Sequence, residues 1–114
     1  RFILRIMHPV KIKQKPEHYL VLEQVLHMGQ TPNTTTRIGK AAAAILQKVL
    51  VRVAKKAIEA RMSPNDKPRS LELAYYEADA LERHLRINRG LFRAGTYEYN
   101  AVVSIAHELD QKLQ

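Results

Sequence analysis

Residues 34–70 constrain the fold more than any other part of the chain, because they read as one long cationic amphipathic helix between two polar loops. Ile38-Gly39-Lys40 opens the helix, and the segment Ser63-Pro64-Asn65-Asp66-Lys67-Pro68-Arg69-Ser70 closes it. Leu46, Val49, Leu50, Val53, Ala57 and Ala60 recur at i, i+3, i+4, i+7, i+11 and i+14, which places them on one apolar face. Lys48, Arg52, Lys55 and Glu59 fall on another face, most simply a solvated one. A helix of about 25 residues is roughly twice the globular mean and needs neighbours along its whole length. The flanking segments offer only shorter helices, so a partner chain is expected to complete the cover.

The flanking segments supply those shorter helices. Pro16 suits the first turn of a helix, and Glu17 complements its dipole there. This helix is expected over 16–28, with Leu22, Val25 and Leu26 facing inward. Residues 29–36 (GQTPNTTT) form a loop by composition, and Thr35 or Thr36 caps the long helix. Pro64, Asn65 and Asp66 end it. Ser70 then caps a third helix with Glu72 in its first turn and Ala74, Ala78, Leu81 and Leu85 on its inner face. Residues 86–90 form a polar junction. A last helix is expected over 91–113, with Val102, Ile105, Ala106, Leu109 and Leu113 at helical spacing and Gly95 as a weak point. No sustained strand alternation and no internal repeat stands out. The expected class is all-α, with a basic arm over 1–15, a three-helix unit over 16–85 and a helical extension over 86–114.

Charge narrows the class of partner. Residues 1–69 carry 14 Lys and Arg against 4 Asp and Glu, whereas residues 70–114 carry 5 against 7. A net charge of +8 gathered in the first two-thirds of a small helical chain points to a polyanion. The chain has no Cys, which excludes disulfides and thiolate metal sites. No apolar run is long enough to span a bilayer. Its first residue is Arg1 and not Met, which suggests a processed product or part of a longer one. Residues 1–15 faintly resemble a transit peptide but lack Ser, and read better as an extended arm in which Lys11, Lys13 and Lys15 alternate.

Catalytic chemistry finds little support. There is no nucleophile motif, phosphate loop or GxGxxG, and HExxH is absent. His18, His27, His84 and His107 form no ligand-spaced pair, so no metal and no cofactor is expected. Asp79 and Glu82 are the nearest approach to an acid/base pair, but Arg83 and Arg86 stand at ion-pairing distance along the same helix. The chain is read as a binding protein and not an enzyme, with no small-molecule substrate and no membrane partner. Arg37 and Lys40 stand at the start of the long helix, where a cation opposes the helix dipole. A phosphate held there by the backbone amides of Ile38 and Gly39 would reverse that cost.

The order of short helix, long helix, short helix and extra helix resembles the core histones, most closely histone 2B. Tyr19-Leu20-Val21-Leu22-Glu23-Gln24-Val25 resembles the family's first helix, and Gly39-Lys40-Ala41 stands where its central helix begins. Lys67-Pro68-Arg69-Ser70 resembles its second loop, Glu77 to Leu85 (EADALERHL) its third helix, and Gly95-Thr96 with the following helix its fourth. The resemblance spans roughly residues 17–105, with histone 2A as the runner-up, and suggests a giant-virus histone or one half of a fused doublet.

The resemblance implies a histone fold that packages duplex DNA without reading bases, in chromatin or in a viral factory and virion. It would pair with a histone 2A-like chain and dock on a tetramer of histone 3- and histone 4-like chains in an octamer. On this reading the DNA contacts are Lys11, Lys13, Lys15, Arg37, Ile38, Gly39, Lys40, Lys67, Arg69 and Ser70, with Arg69 entering a minor groove. That mode is the established one of the histone octamer. The heterodimer interface would comprise Leu22, Val25, Leu46, Val49, Leu50, Val53, Ala57, Leu81, Val102 and Ile105. A histone-fold subunit of a transcription factor and a basic organelle ribosomal protein are the alternatives.

Overall fold

In the computed structural model, residues 8–28, 36–62 and 67–114 are described. The elements run β1 (Val10–Gln14), α1 (Pro16–Met28), α2 (Arg37–Met62), β2 (Arg69–Leu73), α3 (Tyr75–Ile87), a 3-10 turn (Arg89–Leu91) and α4 (Tyr97–Leu113). The protein is mostly helical, and the expected helix order is present. The addition is a small antiparallel sheet in which β1 pairs with β2, with Val10 opposite Leu73, Ile12 opposite Leu71 and Lys13 opposite Ser70. The expectation of no strands is thereby corrected. Val10, Ile12 and Gln14 alternate inward while Lys11 and Lys13 face solvent, which is the two-residue period of a half-buried strand.

α1 spans the expected residues and buries Tyr19, Val21, Leu22 and Val25. Thr36 caps α2, its hydroxyl accepting from the Gly39 amide at 3.0 Å. The proposed stop at Pro64, Asn65 and Asp66 lies outside the described residues, as does Thr35. Ser70 does not cap the third helix. It lies inside β2, and α3 begins after Ala74, whose amide donates to the Glu77 carboxylate at 2.8 Å. α4 starts at Tyr97, six residues later than expected, because Gly95 turns the chain at φ +89 and the Thr96 hydroxyl accepts from the Tyr99 amide at 3.2 Å.

One core unites all these elements. Ile12 of β1, Tyr19, Leu22 and Val25 of α1, Val49 and Val53 of α2, Leu71 and Leu73 of β2, Leu81 and Leu85 of α3, and Val102, Ile105 and Leu109 of α4 are all buried in it. The arm expected over 1–15 is therefore not separate, since its residues 10–14 form part of the core. Nor is 86–114 an appendage, because α4 packs on β1, α1 and α3.

This burial also removes the premise that a partner must cover the long helix. Leu22, Val25, Val49, Val53, Ala57, Leu81, Val102 and Ile105, expected at a dimer interface, are covered by the chain's own elements. The short helices are sufficient because α1 and α3 pack on α2, α4 packs on α1 and α3, and the sheet closes the remaining side. Leu46 and Leu50 alone of that set are half-buried.

Candidate nucleic-acid interface

The cations divide into two classes by their neighbours. Several are engaged by carboxylates: Arg52 with Glu77 at 2.7 Å, Arg61 with Glu23 at 3.3 Å, Arg83 with Asp79 at 3.2 Å, and Arg86 with Glu82. Glu59 serves both Lys56 at 3.9 Å and Arg69 at 3.7 Å. The expected surface pairing of Asp79 and Glu82 with Arg83 and Arg86 is thus present. By contrast, among the described residues Arg37, Lys40, Lys48 and Lys55 have no acidic side chain within salt-bridge distance, and neither do Lys11, Lys13 and Lys15.

Arg89, Arg93 and Lys112 belong to the second class too, but its members on α2 form one surface. Arg37, Lys40, Lys48 and Lys55 stand at i, i+3, i+11 and i+18 on α2, which is one helical face, and all are exposed. This face is opposite Val49, Val53, Ala57 and Ala60. At 1.5 Å per residue the ridge runs roughly 27 Å. At its far end Lys55 and Lys11 line one shallow groove of about 390 Å³, together with Arg52, Lys56 and Ser70 and with the acids Glu59 and Glu72, so that its four cations outnumber its two carboxylates. The β1–β2 pairing makes this junction by setting Lys11 and Lys13 beside the strand that carries Arg69 and Ser70.

Lys48 and Lys55, set aside by sequence as an ordinary solvated face, are thus the middle and the far end of the ridge. Their signal was the spacing of seven from each other and of eleven and eighteen from Arg37, which repeats one helix face over five turns.

Other expected contacts sit differently. Arg69 does not project from a loop past the apolar face. It opens β2, is half-buried, accepts the Tyr19 hydroxyl at 2.6 Å through its carbonyl and lies beside Glu59. Burial, with Glu108 adding to it, pushes the Tyr19 hydroxyl well above its usual range, so it stays a donor. The Gly39 amide, expected to hold a phosphate, is satisfied by Thr36, and Gly39 itself is buried. Ile38 is 84% exposed and carries no charge. Lys67 is exposed just ahead of β2.

The opposite side of the sheet is held by a polar network. The Glu108 carboxylate accepts the Lys13 amide at 3.0 Å and the Gln14 side-chain amide at 2.6 Å. The Gln14 side-chain carbonyl in turn accepts from His18 at 2.6 Å and from the Ser104 hydroxyl at 3.4 Å. Burial, with Lys15 beside it, holds His18 below its ordinary value, against the smaller opposing effect of Glu17. These groups fix β1 against α1 and α4. Among the described residues no cluster of His, Asp and Glu is arranged to hold a metal ion, and no helix is long and apolar enough to cross a membrane.

Comparison with protein-family models, with curated proteins and with solved structures finds no match to the chain.

Proposed function

We propose that the protein binds duplex nucleic acid through its phosphate backbone, without reading base sequence. The observation that carries this reading is the ridge of Arg37, Lys40, Lys48 and Lys55, which among the described residues have no acid within salt-bridge distance and run on into Lys11, with Lys13 next along the same strand. From Arg37 to Lys55 that face carries no acid, and Glu59, the first one on it, is engaged by Lys56 and Arg69; a protein that only needed solubility would gain by interspersing acids at i+3 and i+4, as α3 does with Asp79 and Arg83. A duplex presents about one negative charge per 1.7 Å of axis, so roughly 27 Å of ridge faces many phosphates and gains affinity by releasing their counterions. Long, rotatable lysines favour charge neutralisation over base readout, which relies more on planar bidentate groups.

Histone-type pairing is not carried forward into this reading. It rests on the order of the helices, while most of the side chains that would meet a histone 2A-like chain are buried inside the one protomer. The Arg69 minor-groove role is likewise set aside in favour of the ridge.

The test is binding to unrelated duplexes of equal length across a salt series. The affinities should agree within about tenfold, and the combined variant Lys11→Gln, Lys48→Gln, Lys55→Gln should lower the slope of log affinity on log salt by roughly 2 to 3. A preference for one duplex above about a thousandfold would instead mark a sequence reader. An unchanged slope in the triple variant would place binding elsewhere.

A further inference from the structure

The apolar side of α2 is not filled evenly. Its C-terminal two-thirds lies under α1, β2 and α3, but its first three turns diverge from α3 and leave a groove of about 520 Å³. Ile38, Ala42 and Ile45 line it from α2, and Tyr76, Ala80 and Ile87 from α3. Three of these side chains are well exposed: Ile38 at 84%, Ile87 at 68% and Tyr76 at 54%. Contiguous exposure of this kind, set in a concave surface, marks a place where another apolar body sits.

The shape of the groove selects the kind of body. Its walls are two helices, three turns long on each side. Alanines at 42 and 80 stand where bulkier side chains would keep a third backbone away. A helix laid between them would insert side chains at i, i+3 or i+4, and i+7 and complete a three-helix packing.

Its rim selects the charge. Asp79, an acid lining the groove, is paired with Arg83 at 3.2 Å. Arg37 precedes Ile38, and Lys48 lies seven residues beyond Ala41 on the same edge, both exposed and neither within salt-bridge distance of an acid among the described residues. The α2 edge is therefore positive, while the paired Asp79 and Arg83 leave the α3 edge neutral. A second copy of this chain would set like charges opposite one another, whereas an acidic flank would neutralise them.

We propose that the groove between the first turns of α2 and the facing side of α3 receives one amphipathic helix of a partner protein, apolar on its inner face and acidic on the flank that lies beside α2. This site lies away from the junction of the ridge with the sheet and can fill without nucleic acid, but it shares Arg37 and Lys48 with the ridge, so a bound duplex would weaken the hold on the acidic flank.

The probes are two labelled peptides of about 14 residues with the same leucines at helical spacing, one flanked by Glu and one by Lys. Each is titrated by fluorescence anisotropy against the whole chain in the absence of DNA. The Glu-flanked peptide should bind saturably, and the Lys-flanked peptide about tenfold or more weaker. Ile38→Ser should weaken the Glu-flanked peptide by about tenfold while leaving circular dichroism and duplex binding unchanged, since Ile38 makes no part of the core. Ala42→Arg, which fills the groove and keeps its charge positive, should weaken it further. Equal binding of the two peptides, no loss in Ile38→Ser, or no saturable binding would overturn the proposal. So would sedimentation showing a dimer that Ile38→Ser dissociates, or displacement of the peptide by sodium palmitate at stoichiometric concentration. Those results would assign the groove to a second copy or to a lipid.

Discussion

The Arg52 guanidinium donates to the Glu77 carboxylate at 2.7 Å, and the two partners differ sharply in exposure: the Glu77 side chain is 1% exposed and that of Arg52 is 47%. The same Glu77 oxygen accepts the Ala74 amide at 2.8 Å, so one carboxylate caps α3 and anchors it to α2. The pair should therefore respond asymmetrically to truncation. Glu77→Ala removes a charge-assisted cap and leaves a buried amide without its acceptor, and should cost about 2–3 kcal/mol. Arg52→Ala leaves Glu77 its amide partner and lets water reach the carboxylate where the half-exposed arginine lay, and should cost less, about 1–2 kcal/mol. Urea unfolding of both variants checks this; equal losses would mean that the cap contributes nothing beyond the ion pair.

Ridge cations and paired cations should differ in their effect on DNA. Lys55→Gln should lower the salt slope of duplex binding by about 0.9. Arg61→Gln, whose charge already faces Glu23 at 3.3 Å, should change it by less than half of that. Filter binding over a salt series distinguishes the two, and identical slopes for both variants would contradict the division of the cations into two classes.

Acid should loosen the fold through the His18 and His84 rings. Burial depresses His84, against the smaller opposing effect of the Val25 carbonyl, and burial with Lys15 depresses His18, both from an ordinary value of 6.5. A proton then binds the unfolded chain more tightly than the folded one. Stability is at its full value above pH 6.5 and falls as pH drops from there through the depressed folded values. Urea midpoints should be lower near pH 5.5 than near pH 7.5, and His84→Gln should reduce the difference. A midpoint that rises on acidification would contradict the burial of both rings.

Gly95 and Gly90 offer a matched pair, because a Cβ at either would meet nothing within 4 Å. Only Gly95 has a positive φ, at +89. Gly95→Ala should therefore cost about 1 kcal/mol from backbone strain alone, with a fall in Tm of roughly 4–8 °C, while Gly90→Ala should be near neutral. Differential scanning calorimetry reads both. Similar Tm values would show that the turn before α4 relaxes without cost.

The helices were legible because each carries its own period. Tyr19, Leu22 and Val25 mark α1, and Ala78, Leu81 and Leu85 mark α3, without reference to the rest of the chain. The strands were not, because their evidence is divided between two places. Val10 and Ile12 alternate with lysines over five residues, and Leu71 and Leu73 flank Glu72, but each run is too short to declare a strand until the other lies beside it. The error at Ser70 followed from the same gap: a serine before an acidic residue reads as a cap unless a strand is known to pass through it. The start of α4 was misplaced because helical spacing back to residue 91 ignored the turn at Gly95. The partner-covered core failed for a different reason. Periodicity shows that Val49 and Val53 must be buried, but not by which chain.

The contact between Glu108 and β1 bears on how copies of this protein behave in a crowded solution. A two-stranded sheet has two outer edges, each offering amides and carbonyls to any extended segment that arrives. On β1 the Lys13 amide, which faces away from β2, is already given to Glu108 from α4, and Gln14 beside it is held by the same carboxylate. An incoming strand would have to displace a carboxylate and meet Lys11 and Lys13 along its length. The side chain that fastens the last helix to the first strand therefore also blocks the β1 edge against a third strand, and in doing so hinders neighbouring molecules from adding there and growing into fibres.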